Sequence, residues 1–328
     1  MNFALRFDFR NPEISGVKMS DRYAEALAMA EWGDGLGVSC ITMSEHHGSP
    51  DGNLPSPLPA LAAMATRTKN ARLQAAALVA PFHDPLRLAE QIAVVDLISG
   101  GRLDIVIGGG FSKHDFEMFG VDMSERPKRI TELVTTLRQA FTGEPFQFRG
   151  RTVRVTPMPH QPGGPAIMMG GNSEPAARRA ARIGDGFVPS LPECWDFYRD
   201  ELVKLGKPDP GPLGVADSTH VSLTDCDPDT AWKELAPYFL HEWNAHLLRY
   251  ADPFIPERNP DVLKASGRYR VLTPEQYLQE LEASHNPFPR FNPMCGGIPP
   301  ELGWRTLRLF EERVLPHLPL STEKLANG

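Results

Sequence analysis

About eight times along the chain a short apolar stretch gives way to a segment of helical periodicity, and this alternation constrains the fold more than any other feature. Phe3 to Phe9 alternates as a strand, and Asp21 to Leu36 follows as a helix that stops in GDGLG. Ser39 to Met43 is a second strand. A Pro-rich turn then opens a helix through Arg67, with Ser56 as N-cap and Pro57 at the first helical position. Leu73 to Ala80 is almost wholly apolar, as a strand buried on both faces should be. Asp84 caps the next helix, which carries Leu88, Ile92 and Val95 on one face. A fourth strand, Leu103 to Ile107, runs into three glycines.

The second half keeps the rhythm. Ile130, Leu133, Val134, Leu137 and Phe141 mark an amphipathic helix, and the segment from Thr142 to Val155 reads as a β-hairpin. Ala166 to Met169 is a strand, followed by a helix over 174–183 and a strand from Gly186 to Ser190. A helix near 193–205, a strand from Val215 to Leu223 and a helix over roughly 228–247 come next. The Pro-rich, charged stretch 248–290 breaks the pattern. It holds one well-marked helix, opened by the capping box that starts at Thr273, and it reads as an insertion before the last strand, Phe291 to Cys295. A helix over 300–315 ends the count.

Such an order requires a parallel sheet covered by helices. An open doubly wound sheet would carry GxGxxG after its first strand, and FDFRNPEISG stands there instead. The expectation is therefore a single (β/α)8 TIM barrel domain over residues 1–328, with 248–290 inserted in it. The net charge of −7 carries no basic patch for a nucleic-acid backbone or an anionic membrane. With no apolar run long enough to span a bilayer and no signal-like N-terminus, the expected location is cytoplasmic. Four widely spaced cysteines suggest free thiols rather than a disulfide framework.

In a barrel the chemistry gathers at the C-terminal ends of the strands. There the sequence places Glu45, His46 and His47, then His83 and Asp84, then Gly108, Gly109 and Gly110, then Gly170, Gly171, Asn172 and Ser173. GGNS opening a helix offers free N–H groups and a helix dipole to an anion, most simply a phosphate. An ordinary glycine turn with a serine N-cap would look the same. Three glycines in a row let a flat ring lie against backbone, or simply end a strand in a bulge. Adjacent His46 and His47 face opposite sides of a strand, so one of them is expected to point inward as a proton-transfer group or a ring contact. No nucleophile motif, P-loop or zinc signature accompanies them, and no metal site is expected. Phosphate, planar ring and histidine together suggest a borrowed redox cofactor.

At this point the chain resembles the bacterial-luciferase-like flavin monooxygenase family. The residues that carry the likeness are SEHHG from Ser44, the block from His83 to Phe111, the block from His114 to Arg126, the block from Pro165 to Phe187, and LFEERVLPHL at 309–318. The resemblance implies a (β/α)8 barrel, usually dimeric, that uses reduced FMN and O2 to oxidise a small organic substrate. The reduced FMN comes from a separate NAD(P)H flavin reductase or is made in place. A sister branch uses F420 for hydride transfer, and some members are non-catalytic flavin-binding proteins. By position, His46 falls on the family's active-site histidine, Ala77 and Gly108 on residues against the isoalloxazine ring, and Gly171, Asn172 and Ser173 on the phosphate turn. Two positions depart from the family: Gly109 and Pro127 stand where luciferases carry arginines, and Arg126 or Arg129 is the expected substitute. A metal-dependent hydrolase using His46, His83 and Asp84 is the reading from a different class. The 248–290 stretch and the loop from Ser112 to Asp122 are expected to complete the substrate pocket.

Overall fold

The structure, a computed structural model, describes residues 3–213, 219–248, 254–284 and 288–318. In chain order its regular elements begin β1 (Ala4–Phe7), α1 (Met19–Gly35), β2 (Cys40–Met43), α2 (Pro57–Arg67), β3 (Arg72–Val79), α3 (Pro85–Ser99) and β4 (Leu103–Gly108). Then follow α4 (Lys113–Phe119), α5 (Arg126–Ala140), the hairpin β5 (Phe146–Phe148) and β6 (Arg151–Val153), β7 (Ile167–Gly171), α6 (Glu174–Ile183), β8 (Gly186–Pro189) and α7 (Cys194–Lys204). The remainder is β9 (His220–Leu223), α8 (Pro228–Leu247), α9 (Pro260–Ala265), β10 (Tyr269–Leu272), α10 (Pro274–Ala283), β11 (Arg290–Phe291) and α11 (Pro300–Leu309).

Parallel ladders join seven strands in the order β11-β1-β2-β3-β4-β7-β8. β9 and β10 pair in parallel beside them, and β9 lies against β11. Strand after strand is followed by a helix, the arrangement of an α/β barrel. The period-2 pattern of β1 shows how the sequence builds it. Phe3, Leu5, Phe7 and Phe9 are buried in the core, while Arg6, Asp8 and Arg10 take the alternate face.

Local signals act as the sequence predicts at most boundaries. Asp84 accepts from the N–H groups of Leu86 and Arg87 at the start of α3. Thr273 and Gln276 form both halves of the capping box on α10. Pro57 stands at the start of α2, but the Ser56 side chain makes no capping hydrogen bond. The expected strand from Val215 is a strand only from His220, and its residues 215–218 lie outside the described residues. Within 248–290 the structure adds α9 and β10, neither marked in the sequence reading. β10 alternates buried and half-buried residues and owes its form to the ladder with β9, Tyr269 opposite His220 and Leu272 opposite Leu223. A four-residue strand set among charged and Pro-rich segments carries too little local signal to stand out.

Candidate active site

A cavity of about 750 Å³ opens at the C-terminal ends of the strands, within the range of small-molecule and cofactor sites. Its wall takes in every residue singled out above for the cofactor and for proton transfer: His46, Ala77, Gly108, Gly109, Gly171, Asn172 and Ser173. They come from β2, β3, β4 and β7, so their convergence is a product of the barrel rather than of sequence proximity.

The two histidines after β2 part as expected. His46 is half-buried on the cavity wall. His47 turns the other way, edge-on to Phe82 and Phe119 with ring centroids 5.6 and 4.6 Å away. Glu45 anchors the turn: its carboxylate receives His47 Nε2 at 2.7 Å, His83 Nε2 at 2.9 Å and the Val79 N–H at 2.9 Å. Burial alone would raise the Glu45 carboxyl, but these hydrogen bonds and the nearby His83 hold it below the usual carboxylate range. Glu45 is thus a charged peg joining the ends of β2 and β3, and the His46 N–H bonds to Leu54 O at 2.9 Å. His83 is spent on Glu45 and Asp84 on its helix cap, so neither joins His46 in a ligand set. Among the described residues no three of His, Cys, Asp and Glu gather as metal ligands.

The floor is flat for steric reasons. A Cβ on Gly108 would stand 2.9 Å from Ala77 Cβ, so these two positions can both be small but not both larger. β3 bulges beside them, its register with β4 shifting between Ala76 and Leu78. Gly110 has φ +71°, and a Cβ there would meet Val79 Cγ1 at 2.8 Å. The glycines therefore have packing reasons of their own, and the surface they leave is backbone and methyl groups.

At the other side Gly171 lets α6 approach: a Cβ on it would lie 2.6 Å from Ala176 Cβ. Ser173 occupies the N-cap position of α6 without making a side-chain capping bond. Its hydroxyl and the Asn172 amide are exposed on the cavity wall beside the helix N-terminus. Sequence reading missed Arg179, one turn further along α6. It is half-buried, lines the same cavity, and has no hydrogen bond or ion pair with a described residue. Burial and the neighbouring Arg182 push its pKa down, the mark of a cation short of an anion. Of the two arginines expected to replace the family's pair, Arg126 lines the cavity and donates to Gly110 O at 3.0 Å and Met123 O at 3.0 Å. Arg129 turns to Glu125 at 2.8 Å.

Sequence reading also missed the residues opposite. Arg6, Asp8 and Arg10 reach the cavity from β1, Asn53 from the loop after β2, and Glu242 and His246 from successive turns of α8. Three charged residues at i, i+2 and i+4 of the first strand were the available signal. The loop 112–122 and the described part of 248–290 contribute nothing to the wall, contrary to expectation; the cavity is closed instead by Met123, Ser124 and α8.

A family model described as luciferase-like monooxygenase matches residues 1–284. The chain belongs to this family. Among solved structures, the monooxygenase RslO1 from Streptomyces bottropensis is 26% identical with a TM-score of 0.76, over 97% of this chain and 99% of that one. The oxygenase component of a flavin-dependent trigonelline monooxygenase from Acinetobacter baylyi is 32% identical over 37% of this chain and 34% of its own length. An F420-dependent glucose-6-phosphate dehydrogenase from Amycolatopsis mediterranei is 26% identical over 52% of this chain and 55% of its own. The chain spans about half the length, or less, of the first curated relatives it matches. Its luciferase-like relatives thus include both monooxygenases and dehydrogenases, with flavin or F420 as cofactor. None of the helices among the described residues is long and apolar enough to cross a membrane.

Proposed function

We propose that this protein is an FMN-dependent monooxygenase in which Gly108 and Ala77 would hold the flavin ring and the α6 N-terminus its phosphate. The observation that carries this reading is one cavity uniting a side-chain-free floor, a half-buried histidine and an anion-seeking end. Asn172, Ser173, the first N–H groups of α6 and Arg179 would hold the phosphate, and Arg126 fixes the backbone of the Gly110 turn. Reduced FMN, when bound, supplies the electrons that activate O2. His46 stands where its imidazole can take or deliver a proton at the reacting centre, the step a side chain must supply. Ile130, Val79 and Met169 keep that part of the wall apolar and limit water. A separate NAD(P)H flavin reductase supplies the reduced cofactor, a role supported by the name "oxygenase component" borne by the trigonelline relative. The working form is a homodimer, for which α3 offers an exposed apolar face of Val94, Leu97 and Ile98.

The deciding experiment titrates the purified protein anaerobically with reduced FMN and with F420, then mixes each complex with O2. Tight binding of reduced FMN, with its oxidation by O2 altered by the protein, is the expected outcome. Binding of F420 alone, with no reaction with O2, overturns the monooxygenase reading in favour of hydride transfer. His46→Ala should lose about 100-fold or more in turnover while keeping its FMN affinity. Retained turnover would leave His46 without a chemical role and favour a flavin carrier.

A further inference from the structure

The proposed flavin would occupy the floor and the α6 end of the cavity; the opposite end, walled by β1 and α8, is polar, and one of its arginines is contacted by no neighbouring acid. Its acids, and Asp51 beside Arg10, are all engaged. Asp8 accepts from the Arg10 N–H at 3.0 Å, Asn292 Nδ2 at 3.2 Å and the Gly296 N–H at 3.1 Å. Asp51 accepts from Arg10 Nη1 at 2.6 Å and His241 Nε2 at 2.7 Å. Glu242 accepts from the Tyr269 hydroxyl and lies 3.9 Å from Arg268 Nη2. Burial lowers the pKa of the nearby His246 and pushes that of His220 down to about 4.

Arg6 is different. Its side chain is exposed on the cavity wall, feels Glu242 and His220 only through space, and has no hydrogen bond or ion pair with any described residue. An unengaged guanidinium on the wall of a cofactor-sized cavity marks a place for an anionic ligand.

We propose that this end anchors the organic substrate by a carboxylate held in the Arg6 guanidinium, so that the enzyme acts on small organic acids. The proposal rests on the flavin reading for which end of the cavity is left to the substrate. A guanidinium presents two parallel N–H groups that match a carboxylate, and such a charge-assisted pair is stronger than a neutral hydrogen bond. Held there, the substrate's uncharged part extends along the wall towards His46 and the floor. Arg6 is in this sense a specificity residue rather than a catalytic one.

The test is calorimetric titration of the full chain, apo and FMN-saturated, with benzoate and its neutral isostere benzamide as probes. Wild type should bind benzoate about tenfold or more tightly than benzamide, as expected for a charge-assisted hydrogen-bonded pair. Arg6→Gln should abolish that preference with FMN affinity unchanged, and Arg6→Lys should retain part of it. Equal affinities in wild type, a preference that survives Arg6→Gln, or no benzoate binding at all would overturn the proposal. FMN affinity measured on the same samples separates the two readings. Its absence counts against the flavin assignment, while the apo titration still tests Arg6.

Discussion

At the residue scale, Glu45 sorts the two histidines after β2, holding His47 by its Nε2 while His46 stays on the cavity wall. His46 was legible because a strand separates neighbours to opposite faces, and the environment of Glu45 and His47 explains why the second histidine is the one turned away. Arg179 was not legible. In the run RRAARIGDGF it reads as one of several basic residues on a solvated helix face, yet Arg178 and Arg182 share Glu201 while Arg179 lines the cavity with no partner among the described residues. That contrast gives a sharp expectation. Arg179→Ala should weaken FMN binding about tenfold, the usual worth of a charge-assisted contact to phosphate. Riboflavin, which lacks the phosphate, should bind wild type and variant alike. Flavin fluorescence titration reads both, and an equal loss for the two ligands would mean that Arg179 acts on the ring site or on folding instead.

At the scale of elements, what was legible depended on how much of an element's stability is local. The helices over 174–183 and 228–247 have end signals and a clear period, and the structure keeps those limits. β10 and α9 had none strong enough, because a four-residue strand is held by its ladder and not by its own propensity. The cavity-facing side of α8 was hidden for a related reason. Glu242 and His246 look like surface polar residues until helix placement buries one of them against Tyr269. The junction of β7 and α6 shows the converse, a glycine whose reason is visible only in three dimensions. Gly171→Ala should cost about 1–3 kcal/mol, because its Cβ must displace Ala176 and with it the first turn of α6. FMN affinity should fall in the same variant, since that turn carries the proposed phosphate site. Gly35→Ala is the control: no atom lies within 4 Å of its added Cβ, and α1 should gain slightly or not change. Chemical denaturation of the three proteins measures the difference, and equal midpoints for Gly171→Ala and wild type would refute it.

At the scale of the whole molecule, two properties follow from how the elements close on one another. The first is acid sensitivity. His220 sits on β9 stacked against Tyr269, with Glu242, Arg6, Arg268 and Asp8 around it, and burial depresses its pKa from 6.5 to about 4. The unfolded chain therefore binds more protons than the folded one across that interval, so stability rises with pH there. The contribution is complete above pH 6.5 and is lost as pH falls to about 4. Thermal midpoints should drop over this window in wild type and drop less in His220→Gln; parallel curves would exclude His220 as the source. The second is the proposed association into a dimer. α3 buries Leu88, Ala89, Ile92 and Val95 in the core, yet Val94, Leu97 and Ile98 on its other side remain 43%, 43% and 47% exposed. A helix apolar on both faces is the pattern of one buried on both, and the spacing i, i+3, i+4 presents a continuous stripe to a second copy. A stable pair needs roughly 800 Å² from each partner, so neighbouring surface must join the stripe, with the stripe at its centre. Placing charges there opposes association without touching the core. Sedimentation should show a dimer at micromolar concentration for wild type and a monomer for the Val94→Glu, Leu97→Glu double variant, with the thermal midpoint of the isolated fold little changed. A monomeric wild type would remove the dimer, and a double variant that still pairs would move the interface to another face.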